Sequence, residues 1–165
     1  MMQELAYYSS GAAEFSLLAF IAMFGVALII FGLVLYVIGA LVYYNTAKTN
    51  GLGDIAFLGW IPLANTYLFF ALGSTKKEES EIKKDALIWT LVYFGIFVIS
   101  FIPFLGFVSS IAMFGLFAYF AYRILYRWTG DSGKAVLFTI LSIITGFLFF
   151  YIYGLVKMKQ PFVAE

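Results

Sequence analysis

"GLGDIAFLGWIPLANTYLFFALG" (residues 51–73) is as apolar as a membrane helix, yet Pro62 and Asn65 stand at its middle. Crossing a hydrocarbon core of roughly 30 Å takes about 20 apolar residues in a helix. Proline lacks the backbone N–H and frees the carbonyl one turn earlier, and in lipid such a group needs a partner within the protein. Pro62, Asn65, Thr66 and Tyr67 thus supply a freed carbonyl, an amide and two hydroxyls to an otherwise apolar segment. Two readings follow. Either Pro62 kinks a packing helix whose Asn65 bonds to a neighbour, or a broken or re-entrant helix uses Pro62, Asn65 and Thr66 to line a polar path or substrate groove.

The flanking sequence identifies the solvent. Of 165 residues, 64% are hydrophobic, 21% aromatic and only 12% charged, half the roughly 25% charge of a soluble domain. The charges cluster between five apolar runs, at about 15–44, 55–72, 86–102, 107–125 and 135–156. Strand-like alternation is absent and open sheet edges are not viable in lipid. The expected fold is therefore all-α: a polytopic integral membrane helix bundle of four or five transmembrane helices over residues 1–165, with segment 55–72 broken or re-entrant. The first run is longer than a crossing needs, which implies tilt or projection. The opening MMQELAYYSSGAAEF lacks the basic n-region of a cleavable signal peptide, so that run reads as a signal anchor.

Lys and Arg accumulate on the cytoplasmic side of membrane proteins. Loop 74–85 carries Lys76, Lys77, Lys83 and Lys84, and loop 123–134 carries Arg123, Arg127 and Lys134. If all five runs span, these seven basic residues oppose three, Lys48, Lys157 and Lys159. A re-entrant second run makes the count eight against two, a re-entrant fifth run nine against one, and both together ten against none. The charge rule does not choose among the four arrangements. All four place the protein in the cell membrane with loops 74–85 and 123–134 cytoplasmic and turn 103–106 external. Trp89, Tyr122, Tyr126 and Trp128, with Tyr43 and Tyr44 at the end of the first run, then read as an interfacial aromatic belt.

Two patterns suggest how the helices assemble. Gly25, Gly32 and Gly39 recur every seven residues on one narrow helical stripe, the small-residue face through which membrane helices approach. Shifting the chain by 80 residues lays 49–70 over 129–150, with Thr49/Thr129, Gly53/Gly133, Leu68/Leu148, Phe69/Phe149 and Phe70/Phe150 identical. An inverted repeat of the kind transporters use and shared composition both produce such an echo. The loop STKKEESEIKKDA alternates in charge sign. Lys77–Glu81 and Glu79–Lys83 are i,i+4 pairs suited to a short surface helix, which Ser74 or Thr75 would cap. Lys76, Lys77, Glu78, Glu79, Lys83 and Lys84 are either a solvated face or a docking loop for a partner.

The chemistry-bearing residues are few. There is no Cys and no His, which removes thiol and imidazole nucleophiles, bases and metal ligands. The apolar runs hold no ionisable side chain of the kind that pumps and proton relays keep. Asp54 and Asp131, beside glycines at helix entrances, read as N-terminal caps or dipole partners. No catalytic residue, metal site or cofactor is expected, and the net charge of +1 implies no nucleic-acid partner.

Gly51, Gly53, Ala56, Leu58, Trp60, Ile61, Pro62, Asn65 and Tyr67 form a pattern ending in G-W-I-P-x-x-N-x-Y. It is similar to a motif of small bacterial polytopic membrane proteins of unknown function. The resemblance implies a bacterial membrane setting, no activity and no site residue. The residues themselves lead to a non-enzymatic accessory or structural subunit of a membrane complex, partnered by the lipid bilayer and by other membrane subunits or further copies. The alternatives are a small-solute transporter or pore using the Pro62–Asn65 break, and an immunity or modulator protein acting on a membrane partner.

Overall fold

The computed structural model describes residues 2–164, with side chains for all of them except 2–14 and 17. Met1 and the side chains of Glu4 and Glu14 lie outside the described residues. Among the described residues the chain is all-helical: α1 (Met2–Thr49), a 3-10 helix (Ala56–Trp60), α2 (Ala64–Gly73), α3 (Glu79–Ile99), α4 (Leu105–Thr129), α5 (Ser132–Ile144) and α6 (Leu148–Lys157). Two helical stretches are long and apolar enough to cross a membrane, Leu18–Thr49 of α1 and Leu105–Thr129.

The chain divides into two compact units, Met1–Tyr36 and Val37–Glu165. In the first, described from Phe15, the large apolar side chains point outward on every side of the helix; Phe20, Met23, Ile29 and Leu33 are each 59–67% exposed. Phe20 and Phe24, one turn apart, stack at 6.4 Å. A Cβ built at Gly25 or Gly32 has nothing within 4 Å, so of the three glycines only Gly39, in the second unit, meets a packing partner.

The second unit has an aromatic core. Phe69 of α2 stacks on Phe117 of α4 at 4.8 Å and lies within 6.4 Å of Tyr43 and Phe150. Phe70 meets Phe120 edge-on at 4.7 Å. Trp128, at the end of α4, sits among Phe150, Tyr153 and Phe162. Trp128 is only 2% exposed and Tyr43 only 7%, which corrects their placement in an interfacial belt. The rings lie at the ends of their own helices, but α6 and the C-terminal segment fold over them. Trp89, Tyr122 and Tyr126 are half-buried.

Three non-glycine residues take left-handed backbone angles, Leu63 (φ 70), Phe104 (φ 70) and Phe147 (φ 67), and each immediately precedes a helix. Left-handed geometry is costly for such side chains; here it turns the chain sharply between helices. Segment 55–72 is consequently a 3-10 helix, the Ile61–Leu63 turn and ten-residue α2, whose length is about 15 Å at 1.5 Å per residue. Segment 135–156 is divided as well, without a proline. The Thr145 hydroxyl donates to the Leu141 carbonyl that ends α5, at 2.7 Å, and accepts from the Phe149 N–H that opens α6, at 3.1 Å. Gly146, at φ 60, makes the intervening bend.

The polar ends differ from expectation in three places. The 74–85 charges do not form a separate short helix, since their last seven residues are the first two turns of α3. Ser74 caps none of it, being the C-cap of α2. Asp131 does cap α5, accepting from the Lys134 N–H at 3.0 Å; that bond holds its carboxyl below the ordinary range. Asp54 caps nothing and pairs instead with Lys83 of α3.

Candidate functional site

The break at Pro62 opens onto a small cavity. The turn places Asn65 and Thr66 in the first turn of α2, where they face Tyr43 of α1, Phe117 of α4 and Tyr151 of α6 across about 90 Å³. Pro62 itself is exposed at the bend rather than in the lining. Two glycines permit this convergence. At Gly39 a Cβ would stand 3.0 Å from the Tyr151 ring, so glycine lets that ring lie against α1. At Gly59 a Cβ would stand 3.2 Å from the Ala40 carbonyl oxygen and 3.3 Å from the Tyr44 nitrogen, so the 3-10 helix approaches α1 backbone to backbone. The cavity presents an amide, three hydroxyls and two phenyl walls, all uncharged. It can hydrogen-bond a small neutral group. It holds no acid–base pair, and among the described residues no cluster of three Asp, Glu, His or Cys is placed to hold a metal.

The other ends of the broken segments are gathered by polar contacts. Lys83 pairs with both Asp54, ahead of the 3-10 helix, and Glu79. The Tyr67 hydroxyl donates to the Lys83 carbonyl at 3.2 Å, and the Ser74 hydroxyl donates to Asp85. The Arg127 guanidinium donates to the Leu72 carbonyl at the end of α2, at 2.8 Å, and lies 4.1 Å above the Phe162 ring. Thr49 donates to the Met158 carbonyl, and the Asn50 side chain accepts from the Phe162 N–H at 2.7 Å. The beginning of segment 55–72, its end, and the end of segment 135–156 are therefore all bonded around the ends of α1 and α4 and the start of α3.

No family model, curated protein or solved structure matches the chain. What the site does is read from its own chemistry. Of the residues singled out from sequence, Asn65 and Thr66 come together, and Glu79 and Lys83 pair. Lys76 and Lys84 line a separate depression on α3, whereas Lys77 and Glu78 line neither cavity. Tyr43, Tyr151 and Arg127 were not legible as site residues. No sequence signal marks Tyr151, whose ring meets Gly39 only once α6 is folded back.

Two predictions arise here. The Lys83 ammonium holds the Asp54 carboxyl below the ordinary carboxylate value, and Asp54 and Glu79 raise the lysine. A depressed acid contributes stability that is present above its unfolded pKa and lost as pH falls through its folded one, so this contribution disappears below about pH 4. Asp54→Asn flattens that part of the acid limb when the thermal midpoint of detergent-solubilised protein is followed between about pH 3 and 6. Arg127→Met leaves the Leu72 carbonyl without its charged donor and removes the cation over Phe162. It costs about 2 kcal/mol and accelerates limited proteolysis within residues 158–164.

Proposed function

We propose that the chain is a non-enzymatic integral membrane protein that serves as an accessory, structural subunit of a membrane complex. One observation carries this reading: residues 18–36 form a helix without a charged side chain on which twelve large apolar residues, Leu18 and Phe31 among them, stay 50–67% exposed. A contiguous apolar surface of that extent marks a lipid or protein contact. Lipid gives apolar helices no hydrophobic drive to associate, so close backbone approach decides their pairing. Gly25 and Gly32 offer such approach to a partner helix.

The supporting arrangement has three crossing helices, α1, α3 and α4. Two hairpins, the 3-10 helix with α2 and α5 with α6, enter the bilayer and return to the same face. The polar bonds around Lys83, Arg127 and Asn50 favour it, because they hold the two ends of each hairpin near one level. At ten and thirteen residues, α2 and α5 reach about 15–20 Å, short of a full crossing. All ten Lys and Arg then lie on one side, the cytoplasmic one by the charge rule.

Extraction of native membranes in mild detergent tests the subunit reading. A partner in fixed stoichiometry is expected to copurify, and Gly25→Leu with Gly32→Leu to release it. Recovery of the chain alone, wherever it is expressed, contradicts it. The neutral cavity at Asn65 favours a second reading, a small-solute pore. Flux in proteoliposomes that vanishes with Pro62→Leu plus Asn65→Leu would favour it.

A further inference from the structure

The charged loop leads to a site of a different kind. Lys76, Glu81, Lys84, Asp85 and Ile88 surround a depression of about 230 Å³. Glu81, Lys84, Asp85 and Ile88 follow one another at helical spacing, so they share one face of α3. Among the described residues the ammonium groups of Lys76 and Lys84 and the carboxylate of Glu81 make no ion pair. Asp85 accepts from Ser74 through one carboxylate oxygen and also lines the depression. Two cations and two anions therefore stand together with no net charge. The face then turns apolar: Ile88 is 59% exposed, Val92 follows one turn on at 39%, and Gly95 borders open space.

We propose that this depression binds the headgroup of an amine-bearing zwitterionic phospholipid of the phosphatidylethanolamine type. It takes the phosphate between Lys76 and Lys84 and the primary ammonium on Glu81 and Asp85, and it lays an acyl chain along Ile88, Val92 and Gly95. The inference rests on α3 crossing a membrane. Balanced charge is the reason for a zwitterion: an anionic headgroup would satisfy the lysines and repel the carboxylates. Carboxylate acceptors are the reason for a primary amine, which donates the short charge-assisted bonds that a quaternary ammonium cannot.

The test is native mass spectrometry of the purified full chain in mild detergent with an equimolar mixture of phosphatidylethanolamine, phosphatidylcholine and phosphatidylglycerol. Phosphatidylethanolamine adducts are expected to dominate. Glu81→Gln is expected to remove about tenfold of the preference over phosphatidylcholine, the equivalent of one charge-assisted hydrogen bond. Lys76→Gln with Lys84→Gln is expected to weaken retention of both. Equal retention of the three lipids, preference for phosphatidylglycerol, or a Glu81→Gln protein with unchanged selectivity overturns the proposal. So does glycerophosphoethanolamine binding as tightly as the lipid, since the ligand would then be the free phosphoamine. The sidedness of single cysteines at 79 and 105, at the start of α3 and beyond its end, separates the two claims. Labelling of both from one face defeats the crossing helix itself, whereas labelling from opposite faces without lipid preference defeats only the headgroup site.

Discussion

Phe69→Ala is expected to lower the unfolding free energy in mixed micelles by about 3 kcal/mol. The ring is 1% exposed and faces rings from five other helical positions: Phe117 at 4.8 Å, Phe70 at 5.7 Å, Tyr43 at 6.0 Å, Phe120 at 6.3 Å and Phe150 at 6.4 Å. Each such pair is worth about 0.5–1.5 kcal/mol beyond burial, and α1, α2 and α4 lose their common contact together. Lipid is itself apolar, so the transfer share of the loss is smaller than in water and the packing share dominates. For that reason the estimate stays at the low end of aromatic-to-alanine costs. Phe69→Leu keeps most of the volume and costs about 1 kcal/mol. Denaturing detergent titration followed by near-ultraviolet circular dichroism reads both.

Gly154→Leu acts in the opposite sense, by adding atoms where none fit. A Cβ at Gly154 would lie 2.6 Å from one methyl of Val42 and 3.3 Å from the Trp128 ring. Val42 is fully buried and Trp128 nearly so, hence neither moves without shifting α1 or α4. Overpacking of this kind costs about 3 kcal/mol for leucine and about 1 kcal/mol for alanine. Gly95→Ala is the control: its Cβ meets nothing, and the gain in helix propensity leaves stability level or slightly higher. The pair of glycines thus separates close packing from helix tolerance in the same titration.

The all-helical class and the long helices are visible in composition and run length, since α3 and α4 begin and end within a few residues of the apolar runs or their charged flanks. The interruption at Pro62 is visible because proline removes a donor. The one at Thr145–Phe147 is not, because it depends on a hydroxyl bonding two helices at once and on Gly146, neither of which breaks a helix by itself. Asp54 looked like a cap because its neighbours are glycines; its partner Lys83 is 29 residues away and only the fold brings them together. Tyr43 and Trp128 were misplaced for a related reason. Position along one's own helix predicts depth in a membrane, but not whether a later segment such as 158–164 covers the ring. Asn65 and Thr66 were legible as polar residues in an apolar run, while the tyrosines that complete their cavity looked like any others in a chain with twelve.

The most direct test of the central claim, two hairpins that return to the face they entered, is the sidedness of single cysteines. The background holds no thiol, so cysteines at 50, 79, 105 and 162 can be labelled one at a time with an impermeant maleimide on intact cells. Positions 50, 79 and 162 are predicted to be protected until the membrane is opened, and 105 to label from outside. Labelling of 50 or 162 from the side opposite 79, or protection of 105 together with 79, would contradict the account.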